Sequence, residues 1–123
     1  MSLTFSWTLS VPEFVPTRIL QNTGSVQFSN PNDVANIIVG QNVTSIAGVS
    51  INMKCPVRGT PDPKVTWFYN QTTLFSRTSD VIIPKMMWKY VGVYTCVATQ
   101  GDRTVTANTH LTMLGKNSLI VFM

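Results

Sequence analysis

Few side chains in this chain are equipped for covalent or coordination chemistry: Cys55, Cys96, the lone His110, five carboxylates and the asparagines of two Asn-x-Thr triplets. The triplets are Asn42-Val43-Thr44 and Asn70-Gln71-Thr72, and both satisfy the acceptor pattern for N-linked glycosylation. A structural zinc site takes about four Cys or His ligands, which two cysteines and one histidine cannot supply. His110 falls at an even position among alternating strand residues, beside Asn108 and Thr112, and so points to solvent. That placement suits a surface histidine better than a general base. No Gly-rich phosphate loop, no paired carboxylates and no Ser-x-x-Lys element accompany it. The chain reads as a non-catalytic module that needs no cofactor and no metal.

Whatever positions these residues must be built from 123 residues, room for one hydrophobic core. Hydrophobic residues make up 44% of the chain and charged ones only 11%, well under the roughly 25% usual in globular domains, so Thr, Ser and Asn must cover the surface. The net charge is +4, but the nine basic residues are scattered and form no run, which argues against nucleic acid as a partner. The longest apolar run, Leu119 to Met123, is far shorter than the roughly 20 residues of a membrane-crossing helix. Met1-Ser2-Leu3 lacks a basic leader region, so any targeting sequence is expected outside these residues.

Residues 1–33 carry Pro12, Pro16 and Pro31 with short apolar clusters, and read as a lead-in or linker. From Val34 the pattern changes to runs of Val, Ile and Thr punctuated by Gly, Pro and Asn, the spacing of a many-stranded sandwich. Between Val49 and Val57 every odd residue is apolar or Cys, which predicts a half-buried strand with Cys55 facing inward. Val65, Trp67 and Tyr69 form the next inward face, and Asp80 to Ile83 a short strand stopped by Pro84. Tyr94, Cys96 and Ala98 follow, and after the Gly101-Asp102 turn come Val105, Ala107, Thr109, Leu111 and Met113. Residues 115–123 read as a tail.

Cys55, Trp67 and Cys96, with Tyr94 two residues before the second cysteine, resemble the immunoglobulin fold of the intermediate set. The match runs through Gly48, Gly59-x-Pro61-x-Pro63, Val81-x-Ile83, Met86, Gly92-x-Tyr94-x-Cys96-x-Ala98 and Leu111-x-Met113, covering residues 34–114. A short stretch, Cys55 to Gly59, is similar to modules of ADAMTS-like matrix glycoproteins. The resemblance implies an all-β, two-sheet antiparallel Greek-key sandwich. It also implies a Cys55–Cys96 disulfide joining strands B and F, Trp67 buried on that bridge, and Tyr94 forming the corner at the start of strand F. Two positions depart from the family: Tyr90 stands where an aspartate usually forms an ion pair, and Arg103 where the F–G hairpin usually has glycine.

The disulfide and the two acceptor triplets point to the oxidising secretory route and an extracellular location. The expected role is contact with a protein partner in adhesion, receptor recognition or matrix assembly. The competing reading is a spacer domain of an intracellular filament protein, and a third is a regulatory domain appended to an enzyme. Phe68, Val93 and Val97 fall at outward positions and centre the expected contact face, built by strands C, F and G. Against it stands the alternative that Phe14, Val15, Ile19 and Leu20 of the lead-in cover this face. Met86 matches a core position, leaving Met87 or Trp88 as an exposed anchor, flanked by Lys85 and Lys89, two charges suited to a sulfated polysaccharide.

Overall fold

The computed structural model describes residues 13–75 and 80–114. In chain order the strands are β1 (Val15–Ile19), β2 (Ser25–Gln27), β3 (Val34–Ile38), β4 (Asn42–Ser45), β5 (Ser50–Lys54), β6 (Val57–Thr60), β7 (Lys64–Tyr69), β8 (Thr72–Phe75), β9 (Val81–Ile83), β10 (Gly92–Gln100) and β11 (Arg103–Met113). A single 3-10 turn at Trp88–Tyr90 is the helical element among the described residues. The long run predicted from Val49 is divided, because Pro56 has no N–H to give the ladder and separates β5 from β6.

Alternation places the core. Val49, Ile51 and Met53 of the β5 segment, Val65 and Trp67 of β7, Tyr94, Cys96 and Ala98 of β10, and Ala107, Leu111 and Met113 of β11 are all buried. Ile37, Val39, Val43, Ile83 and Met86 complete the packing between the layers. Burying a Leu, Ile or Val side chain contributes about 1.5–3 kcal/mol against its exposed state, so this interior supplies the main stabilising term.

One layer is a six-stranded sheet in the order β2-β4-β11-β10-β7-β8, the other is β3-β5-β9, and β1-β6 form a separate two-stranded pair. The pairings that carry the core, β7 with β10, β10 with β11 and β5 with β9, are antiparallel as expected. The amino-terminal strands differ. β3 lies parallel to β5, β4 parallel to β11, and β2 parallel to β4. The reversal between β3 and β4 passes through Gly40, whose φ is +110° and where a Cβ would come within 2.1 Å of the Asn22 carbonyl oxygen. Only glycine fits there.

Two segments of the leading chain therefore pair with strands of the sandwich. β1 runs antiparallel to β6, with Ile19 opposite Val57, and the Leu20 N–H donates to the Pro56 carbonyl at 2.9 Å. β2 adds an outer strand beyond β4.

Candidate functional site

Cys55 and Cys96 are joined, with a Cα separation of 6.4 Å, and the bridge ties the end of β5 to the middle of β10. Closing a loop of 41 residues stabilises by about 4 kcal/mol on the chain-entropy estimate. Trp67 is the register partner of Cys96 and is fully buried beside it. Tyr94 makes the expected corner, its hydroxyl donating to the Tyr90 carbonyl at 2.8 Å. A second tyrosine locks the same corner: the Tyr69 hydroxyl donates to the Val91 carbonyl at 2.5 Å, and the two rings stack tilted at 4.9 Å. Burial, reinforced by the neighbouring Tyr69 and Tyr90, drives the Tyr94 hydroxyl well above the usual phenol range, so it stays a donor. Tyr90 supplies a carbonyl in place of the family's ion pair, and its ring takes the Lys89 ammonium at 5.1 Å.

This scaffold fixes which side chains the six-stranded sheet turns outward. Phe68 stands opposite Thr95 on β10, which makes Val93 and Val97 its two diagonal neighbours at roughly 7–8 Å. All three are half-buried at the surface, while Val65, Trp67, Tyr94 and Cys96 beside them face inward. The outward positions around them are polar, with Lys64, Thr66, Thr95, Thr106 and Asn108, and with His110 opposite Val93. β1 lies beside β6, with Gln100 and Arg103 bonded to its other edge; Phe14 and Val15 are exposed and Ile19 packs on the core.

Asn70 and Gln71 form the two-residue turn between β7 and β8, both at positive φ (46° and 71°), the pattern of a type I′ hairpin. The Asn70 side chain pays back part of that conformational cost: its Oδ1 accepts the Val93 N–H at 2.8 Å. Gly92 makes the room, since a Cβ there would sit 2.6 Å from Asn70 Oδ1. Asn70 and Asn42 are both exposed, the latter near the start of β4, between β2 and β11. Met86 is buried, whereas Met87 and Trp88 are about half exposed, at 48% and 50%, with exposed Lys85 and Lys89 around them. His110 is exposed on β11, opposite Val93.

Sequence reasoning missed Gln100. Its side chain is buried and makes three hydrogen bonds to two separate segments: Oε1 accepts the Thr17 N–H at 3.0 Å, and Nε2 donates to the carbonyls of Val15 and Pro61, each at 2.9 Å. The signal was present, since continuing the inward series Tyr94, Cys96, Ala98 by one step lands on this polar residue. Among the described residues no cluster of His, Cys, Asp or Glu could hold a metal ion.

Comparison with known proteins agrees with this geometry. A family model described as an immunoglobulin domain matches residues 35–99. Protein sidekick of Drosophila melanogaster is 30% identical over 88 residues, which cover 65% of this chain and 4% of that protein. ADAMTS-like protein 3 of Homo sapiens is 27% identical over 95 residues, covering 71% of the chain and 6% of the relative. The chain thus spans a small part of these relatives. Among solved structures, neural ectodermal development factor IMP-L2 superposes with a TM-score of 0.61 at 20% identity, over 85% of this chain and 46% of that one. A chimeric titin Z1Z2 superposes with a TM-score of 0.57 at 19% identity, over 85% of this chain and 99% of that one.

Proposed function

Because the chain belongs to the immunoglobulin domain family, we propose that it is a non-catalytic extracellular module that holds a protein partner through the outward face of β7 and β10. The observation that carries this reading is the trio Phe68, Val93 and Val97, apolar side chains left partly exposed at the centre of a sheet face otherwise covered by polar residues, chiefly Thr and Asn. Full burial of each at a contact contributes about 1.5–3 kcal/mol before rigid-body and side-chain freedom are lost. The disulfide and the exposed acceptor asparagines support a secreted or cell-surface setting in adhesion, receptor recognition or matrix assembly. An N-linked glycan on Asn70 stands at the margin of the trio and leaves its centre open; Asn42 is the second acceptor.

The test is the binding of fluorescent, multimerised protein to intact cells, comparing the parent with Phe68→Asp and with Ile82→Asp, an exposed control on the opposite layer. Phe68→Asp loses roughly tenfold or more in avidity while Ile82→Asp does not, as expected for a charge placed at the core of a contact. The reverse ranking moves the contact to the other layer and sinks the proposal.

The spacer reading of an intracellular filament protein keeps one supporting observation, the likeness to titin modules. Disulfide state and glycan occupancy of the native protein separate the two, because a cytoplasmic spacer keeps free thiols and unmodified asparagines.

A further inference from the structure

Arg18 on β1 and Arg58 on β6 are direct register partners. Residues facing each other across an antiparallel pair share one face with Cβ atoms about 4.5–5.5 Å apart, and like charges so placed repel. Both arginines are exposed, and among the described residues no carboxylate forms an ion pair with either. A third guanidinium reaches the other edge of the same strand: Arg103 Nε donates to the Thr17 carbonyl at 3.3 Å, one residue from Arg18. On the β5–β6 line Lys54 is exposed like Arg58, and the four residue steps from one to the other span about 13 Å of extended chain. The nearby acids Glu13, Asp62 and Asp102 are exposed and neutralise none of these groups by direct pairing. A chain with only five acids has placed its cations here without carboxylate partners.

The geometry points to a binding track for a linear sulfated polysaccharide along Lys54, Arg58, Arg18 and Arg103. A sulfate bridging the Arg18 and Arg58 forks turns a repulsive pair into a two-sided clamp, since guanidinium groups match oxyanions with paired, charge-assisted hydrogen bonds. Cations strung over more than one sulfate spacing favour a polymer with repeating charges over a single anion. The track is built of extended polar side chains on strand surfaces, so affinity comes from charge rather than from an apolar anchor. Lys54, Arg58 and Arg18 lie on strands outside the six-stranded sheet that carries Phe68, and the track stands independently of the contact proposed there. It also differs in place from Lys85 and Lys89.

The experiment titrates the disulfide-intact protein with a short heparin oligosaccharide, and with the same sugar after desulfation, at low and at high salt. The double variant Arg18→Gln/Arg58→Gln loses roughly tenfold to a hundredfold in affinity, about 1.4–2.8 kcal/mol, and shows a shallower salt dependence because two charge-assisted contacts are gone. Lys85→Gln/Lys89→Gln binds like the parent, and the desulfated sugar does not bind. Parental affinity in the arginine variant overturns the proposal, as does equal competition by polyglutamate, which would make the track an acidic-peptide surface. A ligand-free measurement keeps the idea exposed to failure: Arg58→Gln raises the thermal midpoint at low salt, and the gain fades at high salt as screening removes the repulsion. No salt-dependent gain means the two charges do not oppose each other, and the clamp is refuted.

Discussion

Replacing Gln100 by Met keeps the length of the side chain and removes the amide that holds β1. Three hydrogen bonds go with it, to the Thr17 N–H at 3.0 Å and to the carbonyls of Val15 and Pro61 at 2.9 Å each. A typical intramolecular hydrogen bond contributes about 1 kcal/mol net, which gives about 3 kcal/mol for the set. The bonds are unequal. Val15 and Pro61 are exposed, and water can replace the amide at their carbonyls, but Thr17 is fully buried and its N–H is left without an acceptor. That one loss costs about 1–3 kcal/mol and dominates the sum. Undocking of β1 caps the penalty, because a detached strand recovers its hydrogen bonds from water. Equilibrium urea melts of parent and Gln100→Met measure the first quantity, with an expected loss of about 2–4 kcal/mol. Amide hydrogen exchange measures the second, and the Thr17 amide becomes fast while those in the middle of β10 stay slow. A loss under about 1 kcal/mol together with a still-protected Thr17 amide refutes the clamp.

Thr17→Val tests the same region in the opposite direction: its buried Oγ1 has no hydrogen-bond partner, so the isosteric apolar side chain stabilises by about 1 kcal/mol in a urea melt. Trp67→Ala costs about 3–5 kcal/mol through lost burial and an unfilled cavity, whereas Trp88→Ala, at a half-exposed position, stays within about 1 kcal/mol; a reversed order in denaturant melts contradicts the strand register. Alkaline unfolding follows from Tyr94. Its folded-state pKa is raised above the ordinary 10.0, so once the pH passes that value the unfolded chain releases a proton that the native state keeps. Stability is then lost with rising pH by up to about 1.4 kcal/mol per unit, and Tyr94→Phe flattens that loss while giving up the corner hydrogen bond.

The sandwich was legible because its core strands bury one face only, and a period of two survives in the sequence wherever one face is wet. Cys55, Trp67, Tyr94 and Cys96 sit on such faces, and their spacing places them together. β1 left no comparable trace. Its five residues, Val-Pro-Thr-Arg-Ile, bury only Thr17, and its pairing is settled by β6 and by an amide on β10. The parallel placement of β3 and β4 was equally hidden, because it depends on how closely Gly40 approaches Asn22 and not on apolar periodicity. Asn70 stood out as a glycan acceptor, yet its bond to Val93 and the space left by Gly92 are properties of a hairpin meeting a distant strand. What two remote segments do to each other is the part that residue patterns along one segment do not encode.

The Gln100 clamp sets a timetable for the chain as it leaves the ribosome. β1 is made early, but the amide that receives the Thr17 N–H comes 83 residues later. At the usual elongation rates of about 5–20 residues per second, that interval lasts about 4–17 s. During it β1 has at most β6 for company, and its second edge stays unpaired. The β10–β11 hairpin, whose Gln100 and Arg103 ends are neighbours in sequence, closes as soon as both strands have emerged. A strand made early is therefore fastened on its second edge only late. Until then its open edge, with Val15 and Ile19 close by, is available to any other extended chain that arrives first.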